Sequence, residues 1–229
     1  MLSVRDLNVF YGESHAIHDL SFDLAPNETL AVMGRNGMGK TTLFKSLIGM
    51  LRAKTGNISF DGKELNHTPS HVRVGSGLAF VPQGRMIFPF LTVEENIFAA
   101  IRDPRRKSVP EYLYRFFPVL KEMRSRKGGN LSGGQQQMLA IARALATDPR
   151  VLILDEPTEG IQPSIIKEIA CALNDLKKER ELSILVSEQV LSFAMAVADR
   201  IVVIDRGYLV HEESCATLDA DKVRSFLTV

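Results

Sequence analysis

Apolar and polar positions alternate along the start of the chain: Leu2 and Val4, then Leu7 and Val9, and later Leu20, Phe22 and Leu24. A period of two predicts half-buried β-strands. Pro26 and Asn27 read as a turn, and "TLAVMG" as a short, fully buried strand running into a glycine-rich loop. A helix is predicted from Lys40 to about Met50, and "KTGNISFDG" as a turn, a strand and a second turn. "GLAFVPQ" is a further buried strand. From Leu91 to Asp148 the pattern becomes mainly helical, opened by "TVEENIFAAI", where Thr92 and Glu95 have the spacing of a capping box. "VLILDEP", "ELSILVSE" and "RIVVIDRG" are predicted as short buried strands, separated by helical stretches over 163–178 and 190–198. Strands and helices alternate on both sides of a helical block. That order predicts an α/β fold with a mostly parallel core, an N-terminal β region and a helical subdomain inserted at 91–148 in a single domain 1–229.

Composition narrows the function. Lys plus Arg total 28 against 27 for Asp plus Glu, a net charge of +1, so the clustered basic excess that nucleic acid demands is missing. Cys171 and Cys215 stand far apart with no CxxC partner, which fits a reducing compartment and argues against a metal site. Arg5 and Asp6 interrupt any apolar leader, and "FAMAVADRIVVI" is broken by Asp199 and Arg200, short of a bilayer span. Work at a membrane would therefore run through partners. The run "RDPRRKSVP", Arg102 to Pro110, reads as an exposed loop.

Two glycine-rich turns lead into helices. The first, Gly34-Arg-Asn36-Gly37-Met-Gly39-Lys40-Thr41, satisfies GxxxxGK[ST] between a strand and a helix. Its glycines let the backbone wrap a phosphate, Lys40 reaches the β/γ oxygens, and the Thr41 hydroxyl suits Mg²⁺. A Mg²⁺–triphosphate needs a second metal anchor and a group to handle water. "VLILDEP" presents Asp155 for the metal shell and Glu156 as general base at one strand end. The second turn, "NLSGGQQQMLAIARALA", also offers backbone N–H groups at a helix start to an anion.

"LSGGQ" at Leu131 to Gln135, lying between GxxxxGKT and LDEP, resembles the signature of ATP-binding cassette (ABC) ATPases, and the resemblance covers essentially the whole chain. It implies a P-loop NTPase core of RecA type with an N-terminal antiparallel β subdomain and an inserted helical subdomain, and ATP and Mg²⁺ as ligands. It also implies head-to-tail pairing with a second cassette chain, in which the P-loop of one subunit and the signature of the other grip the same ATP. Ser132, Gly133, Gly134 and Gln135 would then serve the partner's nucleotide. Gln83 matches the glutamine that senses Mg²⁺ and joins the core to the helical subdomain. Tyr11 matches the aromatic that stacks on adenine, and Thr42 a phosphate contact.

Two positions depart from the pattern. Eleven residues before Arg200, where many relatives have the switch histidine, stands Gln189. An amide donates a hydrogen bond to phosphate but relays no proton. Gln162 stands where an aspartate is common. Either change implies slow turnover, or one weak site of two. "DEPTEGIQPSI", the "EQ" pair and "FVPQGRMIFPFLTVEENI" resemble one ATPase subunit of branched-chain amino acid and amide importers, and "GRNGMGKTTLFKSLIGM" most resembles its urea-importer version. The resemblance implies integral membrane permease subunits, a periplasmic binding protein, a place on the cytoplasmic face of the membrane, and no C-terminal regulatory domain. Phe88, Phe90 and Leu91 are candidates for permease contact or for plain core. A DNA-structuring cassette would carry long coiled coils, yet only about ninety residues without heptads separate Lys40 from Leu131.

Overall fold

The computed structural model describes residues 1–227; positions 228 and 229 of the expected domain lie outside the described residues. Two sheets enclose one helix. The first is antiparallel, in the order β2-β1-β4-β5, from β1 (Leu2–Tyr11), β2 (Ser14–Leu24), β4 (Ala53–Phe60) and β5 (Lys63–Glu64). The second, in the order β10-β9-β3-β8-β7-β6, contains β3 (Thr29–Met33), β6 (Leu78–Val81), β7 (Val151–Asp155), β8 (Ser183–Glu188) and β9 (Arg200–Asp205), all parallel. β10 (Tyr208–Ser214) closes one edge antiparallel to β9.

The apolar strands are buried on both faces and feed two separate cores. Leu30, Val32, Val151, Ile153, Leu185 and Val202 pack toward the antiparallel sheet and α1 (Lys40–Leu47). Their neighbours Ala31, Met33, Leu152, Leu154, Ile184 and Val186 pack toward α6 (Gly133–Leu145), α7 (Pro163–Arg180) and α8 (Leu191–Val197). A continuous apolar run is what a strand with two covered faces requires. Between β6 and β7 the chain builds α3 (Val93–Phe98), α4 (Glu111–Phe116), α5 (Pro118–Glu122) and α6, with no strand of either sheet. The Thr92–Glu95 capping box is formed in full.

The skipped beat in the first strand has a cause. Alternation breaks between Val4 and Leu7, where the pairing register shifts and Asp6 adopts a φ of 48°. Opposite it Asp19 has a φ of 43°, and the Asn8 amide ties the bulge together by donating to Asp6 O (3.0 Å) and Asp19 Oδ1 (2.7 Å). The bulge presses on β4. A Cβ at Gly56, whose φ is 91°, would lie 2.4 Å from the Asp6 carbonyl oxygen. The turn expected at Lys54–Gly56 is therefore a bulged strand, because the glycine serves a close approach rather than a reversal.

Other expectations shift at their edges. α1 ends at Leu47, before the expected Met50; Ile48 N–H still donates to Phe44 O, and then Gly49 N–H turns to Ser46 O and Met50 N–H to Lys45 O. α2 (Ser70–Ser76), β10 and α9 (Ala220–Leu227) are elements the hydrophobic pattern did not predict. α2 buries only Arg73, whose guanidinium donates to Ser46 O and Leu47 O, so no apolar period marks it.

Replacing Gly56 with Ala meets backbone on a left-handed residue and should cost on the order of 2–4 kcal/mol. Gly62, also at positive φ but with open space around it, should lose about 1 kcal/mol on the same change. Urea unfolding midpoints of the two variants check the contrast.

Candidate active site

Sheet order assembles the site. β3, β8, β7 and β6 are consecutive neighbours, and the loops leaving their C-terminal ends carry Gly34 to Gly39, Gln189, Asp155 with Glu156, and Gln83. Ligands of open α/β sheets lie outside those ends. Here a cleft of ≈ 300 Å³ is lined by Asn36, Gly37, Gly39, Lys40, Thr41, Thr42, Gln83 and Glu156. α1 starts in it with Gly39 as N-cap and no acidic residue in its first turn. Its leading N–H groups and dipole therefore face the cleft without a side-chain anion of their own.

Lys40 is 3% exposed, and its ammonium has three acceptors: Gly34 O at 2.6 Å, Arg35 O at 3.0 Å and Glu156 Oε1 at 3.0 Å. Three donors meeting three acceptors leave nothing unsatisfied. Glu156 stands at a φ of 47°, held by its own N–H donating to Ser187 Oγ (3.0 Å) and Ser187 O (3.2 Å). Two amides converge on the same carboxylate. Gln83 Nε2 donates to Glu156 Oε2 at 3.4 Å, and Gln189 Nε2 to Glu156 Oε1 at 3.4 Å and to Asn36 Oδ1 at 2.7 Å.

Asp155 lies beneath. Its Oδ1 accepts from the Ser187 hydroxyl at 2.6 Å, while its buried Oδ2 has no hydrogen-bond partner. Burial pushes its carboxyl above the ordinary range, against hydrogen bonds from Ser187 and Thr41. An orphaned carboxylate oxygen beside a threonine hydroxyl is a hard-oxygen donor set that suits Mg²⁺. Glu188 is also buried; it accepts N–H bonds from Thr158 (3.1 Å), Gln189 (3.0 Å) and Val190 (3.2 Å), and burial raises its pKa. It ties the segment after β7 to the segment after β8.

The other expected residues stand apart. Ser132, Gly133, Gly134 and Gln135 do not line the cleft. They form a second complete capping box, with Gln135 N–H donating to Ser132 Oγ and Ser132 N–H to Gln135 Oε1. Gly134 has a packing duty too, since a Cβ there would lie 2.6 Å from Ile165 Cγ2. Tyr11 ends β1, 49% exposed and outside the cleft lining. Gln162 is the N-cap residue of α7, with no side-chain cap bond. Phe88 and Phe90 are exposed, Phe90 by 83%, which overturns the core reading of these aromatics. Phe88 borders a groove of ≈ 400 Å³ next to the segment that carries Gln83, with Ile48, Val81, Met86 and Arg143.

A family model described as ABC transporter matches residues 17–159. The chain belongs to that family. This ABC ATPase is 38% identical to the high-affinity branched-chain amino acid transport ATP-binding protein BraG of Pseudomonas aeruginosa, over 98% of this chain and 97% of that protein. It is 37% identical to the probable branched-chain amino acid transport ATP-binding protein LivF of Archaeoglobus fulgidus, over 87% and 86%. It is 31% identical to the lipopolysaccharide export system ATP-binding protein LptB of Haemophilus influenzae, over 92% and 89%. Among solved structures, an ATP-binding subunit of an ABC transporter superposes with a TM-score of 0.85 at 26% identity, over 99% of both chains. The α/β cassette fold read from the sequence is the fold observed.

Sequence reading missed Glu159, Arg85 and Ser187 as parts of this cassette's site, and marked Glu188 only as the acid of the "EQ" pair. For Glu159 the signal in sequence was "TEGIQ" after LDEP. Because the Glu188 carboxylate is penalised by burial, its cost is absent below the unfolded pKa and complete above the raised folded one. The melting temperature of Glu188→Gln relative to the parent should therefore rise with pH through the carboxylate range, whatever constant offset the lost acceptor imposes. Calorimetry across acidic and neutral pH checks the slope.

Proposed function

We propose that this chain is the ATP-hydrolysing subunit of an importer for branched-chain amino acids or small amides, urea among them, and that it acts as half of a cassette pair. One observation carries the pairing: the cleft offers Lys40, Glu156 and the start of α1, while its own signature turn stays outside. A nucleotide held there keeps one face open for the Ser132–Gln135 turn of a second chain, identical or different. The importer class is supported by likeness to branched-chain amino acid ATPases at 38% and 37% identity, above the 31% to a lipopolysaccharide-export ATPase. Urea is supported by "GRNGMGKTTLFKSLIGM".

In this reading Lys40 exchanges its Glu156 partner for β/γ-phosphate oxygens, with Gly34, Asn36, Gly37, Gly39 and Thr42 lining the phosphate cradle. Glu156, released, takes the proton of the attacking water. Thr41 and Asp155, with Gln83, would hold Mg²⁺, which when bound neutralises charge building on the phosphate oxygens. The Gln189 amide orients Glu156 but relays no proton, so the purified chain alone turns over slowly. Tyr11 stacks on the adenine. Loss of the γ-phosphate removes the charge bridging two subunits and lets them part. The helical segment 91–148 and the groove beside Phe88 meet permease subunits at the cytoplasmic face of the membrane, with a periplasmic binding protein delivering cargo. No helix of the described residues is long and apolar enough to cross a membrane.

Glu156→Gln should retain ATP binding and lose hydrolysis by roughly 10²-fold or more, read by nucleotide titration and phosphate release. Ser132→Arg should bind nucleotide as a monomer yet fail to pair in ATP; sedimentation that still shows the dimer removes the shared-site reading. Uptake of radiolabelled urea and leucine, in a strain lacking this chain and after complementation, decides the cargo. Loss of neither removes the importer reading.

A further inference from the structure

The loop after β6 is held in an unfavourable shape. Gly84, Arg85 and Met86 all have positive φ, at 81°, 67° and 46°. Non-glycine residues persist there only where their surroundings over-determine them. Arg143 Nη2 donates to Met86 O at 2.7 Å, and Arg85 Nη2 to Glu159 O at 3.2 Å. The loop is thereby tied to α6 by Arg143 and to the segment after β7 by Arg85, and Glu159 of that segment meets Gln83. Gln83 Nε2 donates to Glu159 Oε2 at 3.0 Å, shorter than its 3.4 Å contact with Glu156.

Ionised carboxylates only accept hydrogen bonds, so two of them beside one amide force its nitrogen, not its oxygen, toward them. The Gln83 carbonyl oxygen is left as the face that a cation can use. Glu156 cannot keep this orientation alone, because Lys40 and Gln189 share it and its proposed role is to turn toward water. Glu159 has no duty in the cleft lining.

We propose that Glu159 is a positioning residue, whose carboxylate sets the amide orientation of Gln83 so that the carbonyl oxygen meets the bound divalent cation. This rests on the reading above that Gln83 serves Mg²⁺. It also gives the acidic "TEGIQ" a purpose in a chain that has Gln162 where an aspartate is common. Replacing Glu159 with Ala or Gln lets the amide turn over, and the cation loses an oxygen it had found preset.

The test is titration of the full chain with a fluorescent ATP analogue, in Mg²⁺ and again in EDTA. Glu159→Ala and Glu159→Gln should raise the Kd in Mg²⁺ about 3- to 10-fold and leave the Kd in EDTA and the melting temperature at parental values. Glu159→Asp should recover part of the loss. In hydrolysis assays the Mg²⁺ concentration for half-maximal rate should rise, with kcat recovering at saturating Mg²⁺. Equal weakening in Mg²⁺ and EDTA, or parental binding in both, overturns the proposal. Gln83→Ala separates the two readings. If it keeps the full Mg²⁺-dependent gain in affinity, the assignment of Gln83 falls and Glu159 with it; if it loses the gain while Glu159→Ala does not, only the role of Glu159 falls.

Discussion

A buried ammonium must be surrounded by acceptors, and much of the site follows from how Lys40 meets that demand. Two of its partners are carbonyls of its own loop, Gly34 and Arg35, and the third is the Glu156 carboxylate, a hundred and more residues away in sequence. Removing two charges from water is costly, so such a pair is weak evidence for stability. Its value here is that it is exchangeable. In the proposed function, a phosphate entering the cleft would offer Lys40 the negative charge that Glu156 now supplies, and the carboxylate would then be released toward the position where a water must be activated. On that proposal, ligand binding and unmasking of the base are one event.

The groups around that pair are arranged for exchange rather than permanence. Gln83 and Gln189 reach different oxygens of Glu156 with long contacts, and each has a shorter bond elsewhere, to Glu159 and Asn36. Asp155 and Glu188, by contrast, are locked by hydroxyl or backbone N–H groups and do not depend on Lys40 for their geometry. The acids lie at strand ends, whereas the amides sit on the loops that follow. A strained run at Gly84–Met86 holds one of those loops in place through arginine bonds to carbonyl oxygens.

Much was legible from residue order. Continuous apolar runs identify strands with two covered faces, and alternation identifies those with one. GxxxxGKT, LDEP and LSGGQ are local motifs that can be recognised without tertiary context. What stayed illegible lacked a period or a local partner. α2 buries a single residue, an arginine, β10 is an exposed edge strand, and the Gly56 turn is a strand pressed by a bulge on its neighbour. The pattern of Phe88 and Phe90 fits core and surface equally, and only packing placed them outside.

By itself the sequence determined the buried strands and the capped helices, the glycine-rich GxxxxGKT turn and the acids paired at a strand end, because each depends on residues within a turn or two of one another. Tertiary structure alone decided that Gln83, Glu156, Glu159, Gln189 and Asn36 share one neighbourhood, while Ser132–Gln135 stay outside the nucleotide cleft. The reason is strand order. Pairing β3 with β8, β8 with β7 and β7 with β6 lays four loop mouths side by side, and long-range hydrogen bonding, not local propensity, chooses that order.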